Sequence, residues 1–298
     1  MRKKLLFVYN PHSGTQLIAR KLSNIVDLFT KHGYDVTCHP TQARNDCIET
    51  VKANCNDFDL TVVSGGDGTL NEAINGLMAA KCQKPFGYIP AGSTNDFSHS
   101  VGIPLKVMNA AEAVISGEEF ACDIGKHNDR YFTYVAGFGA LTEVSYSTPQ
   151  DAKNALGFLA YVLEGIASLP TIKEYNISYK CSEHEGEGSY LLGLVTNTLH
   201  VAGLKNRMSD DIALDDGLFE VILVKTPKKL TDLHNLTQDI LKRDFSSGAL
   251  EYFKTDRLTI TCEEALAWTL DGENGGEHKV SEIINYQKAL SVMRKPKN

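Results

Sequence analysis

Over about the first 120 residues, strand-like and helix-like segments alternate. The run "KLLFVY" is followed by Gln16 to His32, where Leu17, Leu22, Ile25, Val26, Leu28 and Phe29 fall near helical spacing. Then come "YDVTCH", a helix over Asp46 to Asn54, "DLTVVS", a helix over Leu70 to Ala80, "PFGYIP" and a helix over Lys106 to Ser116. Strands that alternate with helices of this length predict βαβ units and a parallel sheet. In such a sheet ligands bind outside the carboxyl ends of the strands. The loops that follow the strands are therefore where chemistry is sought.

From about Asp123 the rhythm changes. "RYFTYVAGF", "EYNISYKC", "SYLLGLVTN", "LFEVILV", "ALEYFKTDRLTITC" and "LAWTLDG" all read as strands, punctuated by Gly, Asp and Asn turns. Two helical segments interrupt them, Ala152 to Leu169 and Lys228 to Lys242. The expected architecture is α/β plus all-β. Residues 1–122 form a doubly wound, Rossmann-like α/β domain. Residues 123–298 form an antiparallel β-sandwich or open barrel, with the option that the C-terminal segment returns to the first domain.

The 298 residues carry a formal net charge of −7, which argues against a nucleic-acid-binding protein. Seven cysteines without a CxxC fit reduced thiols in a cytoplasmic protein. The apolar run after the basic start "MRKK" is too short for a signal peptide. No apolar stretch reaches the ~18 residues of a membrane span. The nearest, Ala155 to Pro170, is interrupted by Glu164 and reads as a buried helix before a lipid-facing one. The histidines and cysteines show no HExxH and no paired zinc set.

Three strand-end loops carry phosphate-friendly residues. "NPHSG", Asn10 to Gly14, follows the first strand, "SGGDGTLNE" the third and "IPAGSTNDF" the fourth. Glycines allow a sharp turn and close approach of a ligand, and N–H groups at a helix start favour an anion. Thr69 and Glu72 are spaced as a capping box. Asp67 is the unusual member, because phosphate repels a carboxylate. It fits if Mg²⁺ stands between them, or it shapes a turn. Two later segments are acidic. "SDDIALDDGLFEV" fails as an EF-hand, since Leu214 stands where the central glycine belongs, but Asp216 with nearby carbonyls can hold a cation or form a solvated turn. "TLDGENGGEH" sets Asp271 and Glu273 about a glycine, as a hairpin turn or as a source of a general base.

Taken together, "GGDGTLNE", "PAGSTNDF", "DDGLFEV" and "LDGE", in that order, resemble the bacterial diacylglycerol kinase-like lipid kinases, relatives of the sphingosine kinases. "GGDG" alone is not specific, since NAD kinases and phosphofructokinases carry similar stretches. The resemblance implies ATP-dependent, Mg²⁺-dependent phosphorylation of a lipid hydroxyl, most simply that of diacylglycerol, at a membrane surface. It implies an ATP site lined by Asn10, Pro11, His12, Ser13, Gly14, Thr41, Gly66, Asp67, Gly68, Thr69, Leu70, Asn71, Glu72 and Ser93. It sets Asp67 and Asp96 near the catalytic Mg²⁺ and makes Glu273 the proton acceptor. A structural Mg²⁺ would be held by Asp216 and the carbonyls of Ala213 and Leu218, with Asp123 in indirect support. A homodimer through the second domain is also implied. Relatives often have lysine where this chain has Thr15, so another group must hold phosphate or ATP is held more weakly. An NAD kinase and an inactive nucleotide-binding regulator are the alternatives.

Overall fold

In a computed structural model the described residues are 2–14, 16–142, 173–197, 200–201, 204–205, 213–227, 232, 236 and 248–296. Thr15, the helix expected at Ala152 to Leu169, most of that at Lys228 to Lys242 and the start of the acidic turn lie outside them. The chain divides into two compact units, residues 1–124 with 287–298, and residues 125–286. The fold mixes helix and strand, and strand predominates among the described residues.

In the first unit, β1 (Lys3–Tyr9) lies between β2 (Tyr34–Pro40) and β3 (Leu60–Gly65), and β4 (Phe86–Pro90) flanks β3. All these neighbours are parallel, with Leu5 opposite both Val36 and Leu60, and Val62 opposite Gly87. β3 and β4 are buried along their whole length, which explains why apolar residues predominate in them. α1 (Leu17–Lys31) buries Ile18, Ile25 and Phe29, spaced to fall on one face. α1 packs on α5 (Val107–Ser116), and α2 (Asp46–Asn54) on α3 (Asp67–Ala79).

Two local expectations need correction. α3 opens at Asp67, with Gly66 as its N-cap residue, so Thr69 lies inside the first turn and does not cap the helix. Glu72 is then too far along to reach back. Its carboxylate accepts instead from the backbone N–H of Asn45 at 2.9 Å, ahead of α2. A six-residue helix, α4 (Asp96–Val101), also lies in the segment that reads as a loop. It is framed by Asn95 and Gly102, both left-handed, at φ 53° and 82°.

The second unit is antiparallel. β12 (Phe219–Lys225) pairs with β13 (Leu250–Thr255) on one side and β9 (Glu185–Thr196) on the other. Next to β9 lie β7 (Val135–Gly139) along one stretch and β8 (Tyr175–Lys180) along another. β7 and β8 also both pair with β14 (Arg257–Leu270), which returns into β15 (Glu273–Arg294). β8 buries every second residue, Tyr175, Ile177 and Tyr179, as a strand with one covered face must. These pack into a core with Phe132, Phe138, Phe219, Ile260 and Trp268. Residues 287–294 of β15 belong to the first unit, where Val292 pairs with Phe86. Among the described residues no helix is long and apolar enough to cross a membrane.

Candidate active site

The parallel ladder runs on past the strand ends of the first unit and fixes the loops. Asn10 N–H donates to Ser64 O at 2.9 Å, Thr41 N–H to Tyr9 O at 2.9 Å and Ala91 N–H to Gly65 O at 2.8 Å. The loops after β1, β3 and β4 then touch backbone to backbone. Gly14 is left-handed, at φ +52°, and a Cβ there would lie 2.2 Å from Ala91 O. A Cβ on Gly92 would lie 2.6 Å from the Cα of Gly66. Each contact tolerates only hydrogen on the α-carbon. The glycines therefore bring the three loops together, whatever they do for a ligand.

Asp67 stands at this crossing. Its Oδ2 accepts from the Thr94 hydroxyl at 2.8 Å and from Asn95 N–H at 2.9 Å. Its Oδ1 is buried and has no hydrogen-bond partner among the described residues. A buried carboxylate oxygen with no donor is costly unless a cation or water meets it. Hard oxygen is what Mg²⁺ takes, so the residues present fit that ion. Tyr88, wholly buried, donates its hydroxyl to Gly65 O at 2.9 Å, and burial, then the charge of Asp67, hold that hydroxyl well above its usual pKa. Asn95 closes the third loop on itself. Its Oδ1 accepts from Gly92 N–H and its Nδ2 donates to Gly92 O, both at 2.9 Å.

The other expected nucleotide residues divide by exposure. Asn10, Pro11, Ser13, Thr41, Gly66, Gly68 and Thr69 are half-buried, and His12, Gly14 and Ser93 are exposed. Asn10 Oδ1 accepts from His12 N–H at 2.9 Å, and its Nδ2 lies 3.4 Å from the Thr69 hydroxyl. Leu70, Asn71 and Asp96 are buried in the unit. The pairing of Asp67 with Thr94 and Asn95, and the support from Tyr88, are absent from the sequence reading. The residues are visible there, but no spacing rule links them.

In the second unit the two hairpin carboxylates separate cleanly. Asp271 and Gly272 join β14 to β15 with φ of +49° and +82°, a two-residue turn of the primed kind. Asp271 is buried, and its carboxylate accepts four hydrogen bonds. Thr133 N–H and Oγ1 donate to Oδ2 at 2.7 and 2.9 Å, and Tyr134 and Val135 N–H donate to Oδ1 at 3.0 and 3.1 Å. Four donors leave no lone pair aimed at a substrate. Glu273, the first residue of β15, is exposed. Of this pair it is the one accessible for proton transfer.

Asp216 is exposed, and its Oδ1 accepts from Leu218 N–H at 3.0 Å across Gly217, which is left-handed at φ +83°. Ala213 and Leu218 are half-buried. Among the described residues no three His, Cys, Asp or Glu side chains gather as a metal site, so a cation at this turn would depend on carbonyl oxygens. Asp123 accepts from Lys288 N–H at 2.8 Å inside the first unit.

Comparison with known proteins gives the family. Residues 4–127 match the family described as "Diacylglycerol kinase catalytic domain". A diacylglycerol kinase of Bacillus subtilis (strain 168) is 33% identical over 98% of this chain and 96% of its own length. A diacylglycerol kinase of Staphylococcus carnosus (strain TM300) is 33% identical over 98% of this chain and 95% of its own. A crystal structure from Bacillus anthracis str. Sterne aligns with a TM-score of 0.81 at 25% identity, covering 99% of this chain and 96% of that one. The shared fold and the whole-length likeness to the bacterial enzymes together mean that the chain belongs to the diacylglycerol kinase family of lipid kinases.

Proposed function

We propose that the protein transfers the γ-phosphoryl group of ATP to the free hydroxyl of diacylglycerol, with Mg²⁺. The observation that carries the reading is Asp67. One oxygen ties two loops together, and the other is buried without a donor beside loops that are half-buried to exposed. That combination supports a cation-assisted phosphate site better than a plain turn. The names of the relatives at 33% identity supply diacylglycerol as the acceptor to test first.

In this reading the loops at Asn10–Gly14 and Gly66–Thr69 hold the phosphates through backbone N–H groups, and Thr41 and Ser93 add hydroxyls. Asp67 Oδ1 would hold the Mg²⁺, and Asp96 lies at the start of the next helix. When bound, the ion neutralises charge on the phosphate oxygens. Glu273 accepts the proton of the lipid hydroxyl. Phosphoryl transfer depends mainly on positioning and charge stabilisation, so one general base is enough. The acidic turn, through Asp216 and the carbonyls of Ala213 and Leu218, would hold a second, structural Mg²⁺.

The test is incubation with γ-labelled ATP and either diacylglycerol or NAD, with and without Mg²⁺. Label in phosphatidic acid only when Mg²⁺ is present is expected. Label in the dinucleotide, or none in lipid, would overturn the proposal. Glu273→Gln should fold and bind ATP yet lose about 100-fold or more in turnover. Turnover near that of the wild type would remove Glu273 from the chemistry.

A further inference from the structure

The loop between β2 and α2, residues 41–45, is held by polar contacts more than by packing. Gln42, Ala43, Arg44 and Asn45 are all exposed, and of the five residues only Thr41 is half-buried. Thr41 is the first residue past β2, where Pro40 lies opposite Tyr9, and its N–H donates to Tyr9 O at 2.9 Å. Asp46, the first residue of α2, reaches back, and its Oδ2 accepts from Gln42 N–H at 2.7 Å. Its Oδ1 and Oδ2 lie 3.2 and 3.1 Å from Nε2 of His39, near the end of β2. The Thr50 hydroxyl, one turn along α2, donates to Oδ1 at 3.2 Å and lies 3.1 Å from the same ring nitrogen. The Gln42 N–H, and then the His39 ring, hold the Asp46 carboxyl below the usual carboxylate range against the opposing push of burial. The ionised carboxylate can only accept, so it places the imidazole proton on Nε2. At the far end of the loop Asn45, left-handed at φ 69°, gives its N–H to Glu72 of α3.

We propose that Asp46, held in place by His39 and Thr50, is a positioning residue for the nucleotide: it fixes the peptide that follows Thr41 and so aims the Thr41 hydroxyl. The inference rests on the reading above in which Thr41 contacts ATP. Thr41 N–H is tied to β1 on one side, and the next N–H along the chain is tied to Asp46 on the other. Both backbone torsions of Thr41 lie between these two ties, so the direction of its side chain is set before a ligand arrives. Without Asp46 the second tie is lost in a loop that little else packs against. Ordering that loop then falls to ATP, which weakens binding without touching the transfer step. His39 and Thr50 serve by holding the carboxylate in reach of Gln42. An acid in the first turn also suits the helix dipole, but that role alone would leave ATP affinity unmoved.

The experiment is calorimetric titration of the full chain with a non-hydrolysable ATP analogue and Mg²⁺, with turnover on a dispersed short-chain diacylglycerol measured in parallel. Asp46→Ala should raise the dissociation constant of the analogue about tenfold, the effect of one lost hydrogen bond to an ionised group. Its kcat at saturating ATP should stay within about twofold of the wild type, and its KM for diacylglycerol should not change. Thr41→Val/Asp46→Ala should bind no more weakly than the weaker of its two single variants, because both changes act on one contact. His39→Ala, which leaves the carboxylate present but unheld, should bind about threefold more weakly, and it decides the matter if Asp46→Ala does not fold. Wild-type affinity in Asp46→Ala, or in His39→Ala where that variant decides, would overturn the assignment. Losses that add in the double variant would overturn it too, as would a fall in kcat at unchanged affinity. A wild-type chain that does not take up the analogue would overturn the nucleotide reading and the brace with it, whereas tight wild-type binding with unmoved variants would overturn the brace alone.

Discussion

Asp271→Asn is expected to unfold the second unit far more readily than its place in a hairpin turn would suggest. The carboxylate is buried and accepts from three backbone N–H groups and one hydroxyl. An amide keeps one accepting oxygen and can satisfy only one pair of donors. The other pair then faces an NH₂ group. The Thr133 hydroxyl can rotate to accept, but a backbone N–H stays buried and unpaired. Hydrogen bonds to a charged group are worth about 1.5–3 kcal/mol each, and a stranded buried donor costs about 1–3 kcal/mol. The retained pair also loses its charge assistance. Asparagine suits the left-handed backbone at this position, which returns a few tenths of a kcal/mol. The sum is a loss of about 3–5 kcal/mol. The assay is built into the chain, since the one tryptophan, Trp268, lies three residues before Asp271 in the core of the same unit. With a urea m-value of about 2 kcal/mol per molar, the tryptophan fluorescence midpoint should fall by roughly 1.5–2.5 M. Glu273→Gln, exposed on the next strand, should leave it unchanged. A midpoint shift below about 0.3 M for Asp271→Asn would refute the reasoning.

Other perturbations test the first unit and the buried imidazole of the second. Gly92→Ala drives a methyl to within 2.6 Å of the Gly66 Cα; the loops must separate, and kcat/KM for ATP should fall about 100-fold while the Trp268 unfolding curve stays unchanged. Asp67→Asn keeps an acceptor for Thr94 and Asn95 but removes the charge from the unpartnered oxygen; turnover should collapse and its Mg²⁺ dependence flatten, and a wild-type Mg²⁺ titration would count against the assignment. His127 is buried, its ring centroid 4.5 Å from that of Trp268, and burial, then the neighbouring His278, lower its pKa from 6.5 to about 3. A depressed pKa means that the unfolded chain takes up the proton first, so the stability His127 contributes is complete above pH 6.5 and is lost as pH falls toward 3. The expected slope is about 1.4 kcal/mol per pH unit, read from urea midpoints at successive pH values, and His127→Phe should flatten it.

The alternation of the first 120 residues or so is legible because parallel strands covered on both faces are mostly apolar, as β3 and β4, buried along their length, are. α2 emerges with the bounds read from sequence, Asp46 to Asn54. α3 does not, because Thr69 and Glu72 imitate a capping box while Gly66, which has no side chain to signal a cap, is the N-cap residue of a helix that opens at Asp67. α4 is too short for a periodic pattern, and only Asn95 and Gly102, its left-handed ends, leave a trace. The candidate site follows the same division. That an acid in a glycine cluster is unusual can be read from one stretch of sequence. That one of its oxygens is committed to Thr94 and Asn95 while the other has no partner cannot, because the commitment depends on two glycines meeting across separate loops. "LDGE" makes the point most sharply. Asp271 and Glu273 are two residues apart and chemically alike, yet the donors that bind Asp271 come from 136 to 138 residues away in sequence. Local pattern finds such a pair, and only the long-range backbone decides that one carboxylate is buried in the fold while the other stays exposed.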